Sequence, residues 1–420
     1  MSASALSTTE PRTRVIIAWA LYDFANSAFA AVIVATIWAA YYAGGVVGNE
    51  RGDGDLWWGR VVSASMAIVA LTSPLLGGLA DRCGMRRRLL VAFTLLSVCA
   101  TALLATVRPG MVLWGFVLGV LGNVGFESAQ VYYNAYLPDL APPGRRGRLS
   151  SWGFAVGYAG SIVALVVALL LWNANLHAGA FLSTAALFGC FAVPAFLFLP
   201  TPASEGVPPL RAAAEGFSRV IAGIRRIWGQ RDLRRFLGAY FVYEDGVNTV
   251  IAFSAVFAAH TLKFPMTKLI VLYIVVQFSA LLGALAWAKV IDRIGAKRVV
   301  LVTLVQWAAV AVAAYFVRNQ TEFFVVAVLA GTGLGAIQAA SRALLTQLIP
   351  PGSEAEMFGF YALCGKSAAI IGPLVFGGVS HAAGGNQRLG VLTIGSFFAI
   401  GFLLLRRVSG GGPVDAHSAG

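Results

Sequence analysis

Long apolar runs separated by short polar breaks set the pattern of this chain from Val15 onward. A helix that crosses a bilayer needs about 20 mostly apolar residues. Runs of that kind recur near 15–43, 57–80, 88–107, 111–137, 149–172, 178–199, 233–259, 268–290, 297–317, 321–349, 356–380 and 388–406, which predicts about twelve transmembrane helices. One break is longer than the others: Pro200 to Arg235 is polar and rich in Pro, Gly and Arg. It divides the chain into an expected N-terminal six-helix bundle, 15–199, and a C-terminal six-helix bundle, 233–406, joined by a linker, 200–232. Tails over 1–14 and 407–420 complete the division. The run 15–43 is too long for the core of a cleavable signal peptide and reads as a retained first span.

Composition agrees with the pattern. Of the 420 residues, 58% are hydrophobic and 12% charged, where soluble domains carry about 25% charge. The net charge of +13 is concentrated in short clusters between apolar runs, so it does not mark a nucleic-acid partner. Loop charge instead gives orientation. Arg82, Arg86, Arg87, Arg88, Arg145, Arg146, Arg148 and the arginines from Arg211 to Arg235 fall on one side; Arg51, Arg60, Arg108, Lys263, Lys268, Arg318 and Arg388 fall on the other. By the positive-inside rule, both termini and the linker are expected in the cytoplasm. Trp57, Trp58, Trp114 and Trp172 near span ends suggest an interfacial aromatic belt. Cys83, Cys99, Cys190 and Cys364 have no metal-ligand spacing, and the four histidines do not cluster. No catalytic triad or metal set is visible, so an enzyme, a metal and a cofactor are not expected.

The two halves repeat one another. Tyr22-Asp23-Phe24-Ala25-Asn26 in the first span has an acid three residues before an amide, as does Asp245 to Asn248 within Tyr243-Glu244-Asp245-Gly246-Val247-Asn248 in the seventh. Asp81-Arg82-Cys83-Gly84-Met85-Arg86 after the second span matches Asp292-Arg293-Ile294-Gly295-Ala296-Lys297 after the eighth. Leu137 to Gly144 after the fourth matches Leu345 to Gly352 after the tenth. Paired repeats of this sort are a transporter architecture.

Ionisable groups inside hydrocarbon are costly, about 2.5–3.5 kcal/mol each on insertion scales, and tend to face a cavity or a partner. The candidates for substrate binding are Asp23 and Asn26 on the first span, Glu127, Gln130, Tyr133 and Asn134 on the fourth, Asp245 and Asn248 on the seventh, Gln338 and Arg342 on the tenth, and Lys366 on the eleventh. Tyr132 is a further path-lining candidate. Their stripes fall on the first, fourth, seventh and tenth spans, as expected if those helices surround a central path. Acids and bases together could hold the two ends of a zwitterion. Asp23, Glu127, Glu244 and Asp245 are the candidates for proton coupling, though a carboxylate can also serve a substrate amine alone. Asp245 is expected to face the path through its match to Asp23, and Glu244 to sit at a helix interface. Asp81, Arg82, Gly84 and Arg86, with Asp292, Arg293 and Gly295, are candidates for a cytoplasmic gate.

The Gly77-to-Arg88 loop, its copy and the six-plus-six layout resemble the major facilitator superfamily over about 15–406. Four segments are similar to a bacterial branch related to fungal autophagy-linked vacuolar effluxers: Tyr22 to Phe29, Tyr133 to Leu140, Tyr243 to Thr249, and Ser341-Arg342-Ala343-Leu344 leading to Phe358-Gly359-Phe360-Tyr361. The resemblance implies an exporter of an amino acid or similar small solute, working by alternating access. Glu244 and Lys366 depart from the pattern expected of that branch and bear on the substrate. The expectation is a monomeric, multi-pass protein of the bacterial inner membrane, with the bilayer, a small-molecule substrate and protons as partners. A carrier of another metabolite or drug stands as the alternative, with a membrane receptor or scaffold behind it.

Overall fold

A computed structural model of the chain describes residues 13–140, 146–201, 203–349 and 354–409. Among the described residues all regular structure is helical. The first half contains α1 (Thr13–Val47), α2 (Asp53–Arg82), α3 (Arg86–Leu104), α4 (Val112–Asn134), α5 (Arg146–Asn173) and α6 (His177–Phe198). The second contains α8 (Arg231–His260), α9 (Met266–Ile294), α10 (Ala296–Phe316), α11 (Gln320–Leu348), α12 (354–382) and α13 (Gln387–Arg406). Between them lies α7 (Pro209–Gly229). The fold is all-α with two six-helix bundles. Among the described residues, eleven stretches are long and apolar enough to cross a membrane. The helix α8 is not among these eleven; it carries Glu244, Asp245 and Asn248 at its centre.

Two spans are less regular than their hydropathy implied. In α1, π-helical turns at Ala30–Val34 and Tyr42–Val47 flank a short α-helix, Ile37–Tyr41. Each such turn widens the backbone spiral and releases a donor or carbonyl from the regular ladder. Thr36 answers one of these by donating its hydroxyl to Ala31 O at 2.7 Å. In α12 the helix breaks between Glu354–Ser367 and Ile371–Ala382. Pro373 explains the break, because its ring clashes with the carbonyl four residues earlier. The freed Gly372 N–H donates to both carboxylate oxygens of Asp245 on α8, at 2.9 Å each.

The expected linker is not merely polar chain. It contains the 21-residue α7, which packs on α2 where Gly78 and Gly216 remove side chains: a Cβ on Gly216 would lie 2.3 Å from Pro74 O. The fourth span ends at Asn134, and a separate turn, Leu137–Leu140, follows. The Pro-Pro-Gly repeats at 142–144 and 350–352, with most of both tails, lie outside the described residues.

Close contact between the bundles concentrates at the end away from α7. There α2 meets α12 backbone to backbone: a Cβ on Gly59 would lie 2.4 Å from Pro373 O, and one on Gly377 2.6 Å from Asp55 O. Trp58 is 2% exposed and donates its indole N–H to Ala252 O at 2.8 Å. It is therefore an inter-bundle residue, not part of an interfacial belt. Ser63 donates to Ile370 O at 2.7 Å, deeper along the same seam.

Candidate translocation site

Tyr22 and Tyr243 are both fully buried, and the hydroxyl of each shares a hydrogen bond with another hydroxyl at 2.7 Å, Thr94 and Ser341 respectively. The partners lie on non-equivalent spans, Thr94 on the third of its half and Ser341 on the fourth, so the two contacts are not copies of one another. The expected match of Asp23 with Asp245 has a parallel in packing: a Cβ on Gly157 of α5 would lie 2.8 Å from Ser27 Oγ and 3.7 Å from Asp23 Cβ, and one on Gly372 of α12 2.1 Å from Thr249 Oγ1 and 2.7 Å from Asp245 Oδ1. Of the two adjacent acids, Asp245 is held at the α8–α12 contact and Glu244 is the one nearer Arg342 and Lys366.

Glu244 is 7% exposed, accepts from Gln338 Nε2 at 3.4 Å and lies in the fields of Arg342 and Lys366. Asp245 is 1% exposed and occupied by the Gly372 N–H. Asn248, four residues after Glu244, is half-buried on the Glu244 face.

In the first half, Asp23 is half-buried against the glycine face of α5, where a Cβ on Gly153 would lie 2.5 Å from its Oδ2. Tyr133, Asn26 and Arg342 are the groups that act on it. The Asn26 Nδ2 and Tyr133 Oη are buried without a complete hydrogen bond, so both have capacity for an incoming ligand. Tyr133 stacks between Trp19 and Tyr22, with ring centroids 4.8 and 5.0 Å away. Tyr240 and Tyr361 form a comparable stack in the second half, at 4.1 Å. Sequence reasoning did not single out Tyr240, and nothing in its spacing separates it from a packing residue.

Glu127 is 8% exposed and makes an ion pair with Lys366, which joins α4 of one bundle to α12 of the other. Gln130 is half-buried one turn away; Asn134, at the end of α4, is exposed. Asp23, Glu127, Glu244, Arg342 and Lys366 therefore form one neighbourhood between the bundles. It holds three carboxylates and two cations. Tyr132 is buried and stacks on Phe93 at 5.9 Å.

Among the described side chains, the ion pairs of the expected gate residues lie within the first half and the linker. Arg86 pairs with Asp81 at 3.1 Å and Asp139 at 2.6 Å, and donates to Ala135 O at 3.1 Å, all within the first half. Arg82 reaches Glu205 at 2.5 Å and Glu215 of α7 at 2.6 Å. Gly84 and Gly295 adopt φ of 63° and 86°, which explains why both repeats need glycine there. Arg293 is exposed, and the Asp292 side chain lies outside the described residues. Lys297, in the place of Arg86, donates to Arg406 O at 3.4 Å and Val408 O at 2.5 Å. Among the described residues, the ion pairs of the Asp81 loop clamp the first bundle to the linker.

One cluster escaped sequence reasoning altogether. Asp55, at the end away from α7, is 0% exposed. Its carboxylate accepts from Ser380 Oγ at 2.5 Å, Gln387 Nε2 at 2.7 Å and Asn49 Nδ2 at 2.8 Å. Thr261 Oγ1 donates to Gln387 Oε1 at 2.5 Å, and His381 Nδ1 lies 3.2 Å from Asp53. From sequence, Asp53 and Asp55 are only acids at a helix start.

Relatives give this arrangement a family. The family described as "Vacuole effluxer Atg22 like" matches residues 60–146 and 143–410. An uncharacterized MFS-type transporter of Bacillus subtilis, YxiO, is 30% identical over 400 residues, covering 92% of this chain and 93% of that protein. Autophagy-related protein 22-1 of Penicillium rubens is 22% identical over 417 residues, covering 77% and 70%. Among solved structures, the nucleoside transporter NupG superposes with a TM-score of 0.70 at 15% identity, covering 94% of this chain and 100% of that one. A D-xylose-proton symporter superposes at 0.66 and 17% identity, covering 94% and 97%. These two show a shared fold. The chain belongs to the Atg22-like vacuole effluxer family, and it is a membrane transporter of the major facilitator type and not an enzyme.

Proposed function

We propose that the chain is a secondary carrier that exports a small zwitterionic solute of the amino-acid class by alternating access, with a proton as the coupling ion. The observation that carries this reading is the charge neighbourhood between the bundles. Asp23, Glu127 and Glu244 against Arg342 and Lys366 leave one negative charge in excess if all are ionised, by three minus two. In a low-dielectric site that excess favours a proton or an ammonium group. A zwitterion brings both of the charges needed to divide the existing pairs: its carboxylate to Arg342 or Lys366, its ammonium to Asp23 or Glu244. Tyr133 and Asn26 offer hydrogen bonds beside it.

Support for alternating access comes from the contrast between the two ends. The far end is sealed by Asp55 and the α2–α12 seam, while the linker-side ion pairs remain within the first half and α7. With the linker side as cytoplasm, these contacts fit a carrier closed on the outer side, in the bacterial inner membrane with both termini cytoplasmic. The bundles are the units that rock, with boundaries near 15–199 and 233–406, and one protomer holds a complete site.

The test is reconstitution of the purified chain in liposomes, with radiolabelled amino acids presented with and without a pH gradient. Uptake stimulated by the gradient is expected. No flux of any of them under either condition would refute the amino-acid assignment. Gradient-independent flux would refute proton coupling.

A further inference from the structure

The linker helix α7 has three distinct faces. At 100° per residue, Ala212, Gly216, Gly223 and Ile227 fall together; all four are buried. That face rests on α2, where a Cβ on Gly78 would lie 2.1 Å from Ala212 O. Leu210, Phe217, Ile221, Ile224 and Trp228 fall within an adjoining arc of about 60°. They are 86%, 49%, 39%, 45% and 65% exposed. The third face carries Arg211, Arg219, Arg225 and Arg226, all exposed.

An exposed stripe of this size next to the packed face calls for a partner. Its position says which. Gly216 meets α2 at Pro74 and Gly78, four to eight residues before Arg82 ends that span. At 1.5 Å per residue this is roughly 6–12 Å inside the span's end, the depth at which interfacial helices sit. Trp228 closes the stripe, with the Arg234 guanidinium 5.8 Å over its ring, a pairing suited to the boundary between acyl chain and headgroup. Four arginines against Glu215 alone make the helix cationic.

We infer that α7 is an interfacial anchor: its apolar stripe lies in the linker-side leaflet and its arginines bind anionic lipid headgroups. The helix thereby ties α2 to the bilayer surface at the end opposite the Asp55 seal. Binding strength follows buried apolar area plus attraction to anionic lipid, so composition of the leaflet tunes it.

The test uses the full chain in nanodiscs, with Cys83, Cys99, Cys190 and Cys364 replaced by serine. Spin labels are placed through Phe217→Cys and Ile221→Cys, and through Ser218→Cys and Arg219→Cys. With phosphatidylglycerol present, labels at 217 and 221 should collide with oxygen in preference to a water-soluble nickel chelate, and labels at 218 and 219 should do the reverse. Backbone hydrogen exchange over 209–229, measured on the unlabelled protein, should slow about tenfold when phosphatidylglycerol replaces about a third of a phosphatidylcholine bilayer. The double variant Arg219→Gln, Arg225→Gln should lose that response. Water-exposed labels at 217 and 221 in every disc would overturn the anchor. Exchange insensitive to phosphatidylglycerol would overturn the headgroup binding. Efficient cross-linking of two chains through position 217 would assign the stripe to a second copy instead. A thermal melt of each variant separates these outcomes from unfolding.

Discussion

Glu244 and Asp245 are adjacent in sequence and do different work. One residue turns a helix by about 100°, enough to put Glu244 beside Arg342 and Asp245 against the broken turn of α12. Their substitutions should separate function from stability. Glu244→Gln is expected to leave the melting temperature within a few degrees of the parent and to lower transport at least about tenfold, read as proteoliposome flux. Asp245→Ala removes the acceptor of a buried N–H and should destabilise by about 1–3 kcal/mol, seen as a lower melting temperature in detergent. Equal loss of flux with intact stability in both variants would contradict the division. The ion pair gives a second prediction at this scale. Lys366→Met strands the Glu127 charge in the protein interior, which costs about 3–5 kcal/mol, whereas Glu127→Gln with Lys366→Met removes both charges. The double variant should melt higher than the single one and still fail to transport.

Elements show why part of the site was readable from sequence and part was not. The stripes on α1, α4, α8 and α11 were legible because charge in an apolar run is rare and helical spacing assigns it to a face. Which of two adjacent acids on α8 faces the other charges was not. The acid-to-amide spacing could not say that Glu244, and not Asp245, lies beside Arg342 and Lys366. The break in α12 had a visible signal in Gly372-Pro373, but its partner, Asp245, comes from 127 residues away. A matched pair of substitutions tests the importance of that joint. A Cβ on Gly372 would lie 2.1 Å from Thr249 Oγ1 and 2.7 Å from Asp245 Oδ1, while one on Gly378 meets nothing within 4 Å. Gly372→Ala should lower the melting temperature clearly, and Gly378→Ala should not. Glu215 makes a prediction in pH. Its hydrogen bond to Arg82, then that to Arg211, holds its carboxyl below the usual carboxylate range. A lowered value in the folded state means the contact is fully present above the ordinary carboxylate pKa, about 4.3, and is lost as pH falls through the folded value. Glu215→Gln should therefore speed hydrogen exchange of α7 at pH 7, with the difference from the parent vanishing in strong acid.

At the scale of the whole molecule, the division into six and six followed from hydropathy, and the linker-side charge followed from loop arginines. The seal at the other end did not, because it is assembled from residues that look ordinary one at a time. Asn49 and Asp55 in the first half meet Ser380 and Gln387 in the second. Two of these hydrogen bonds cross between bundles to a carboxylate with no exposed surface. Hydrogen bonds to charged groups contribute about 1.5–3 kcal/mol each, so losing both exceeds the 1.4 kcal/mol that shifts a two-state ratio tenfold. If the bundles rock, Asp55 is a weight on one side of that balance, and removing it should populate the opposite state. Spin labels at Glu50→Cys and Asn386→Cys, both exposed beside the seal, report its opening directly. In lipid, Asp55→Ala should move a large fraction of the distance distribution to longer values, while labels on the linker side draw closer in the same proportion. An unchanged far-end distribution in a folded Asp55→Ala protein would mean that the Gly59–Pro373 and Gly377–Asp55 backbone contacts hold the seal alone. Longer distances at both ends would indicate loosened bundles and would contradict alternating access.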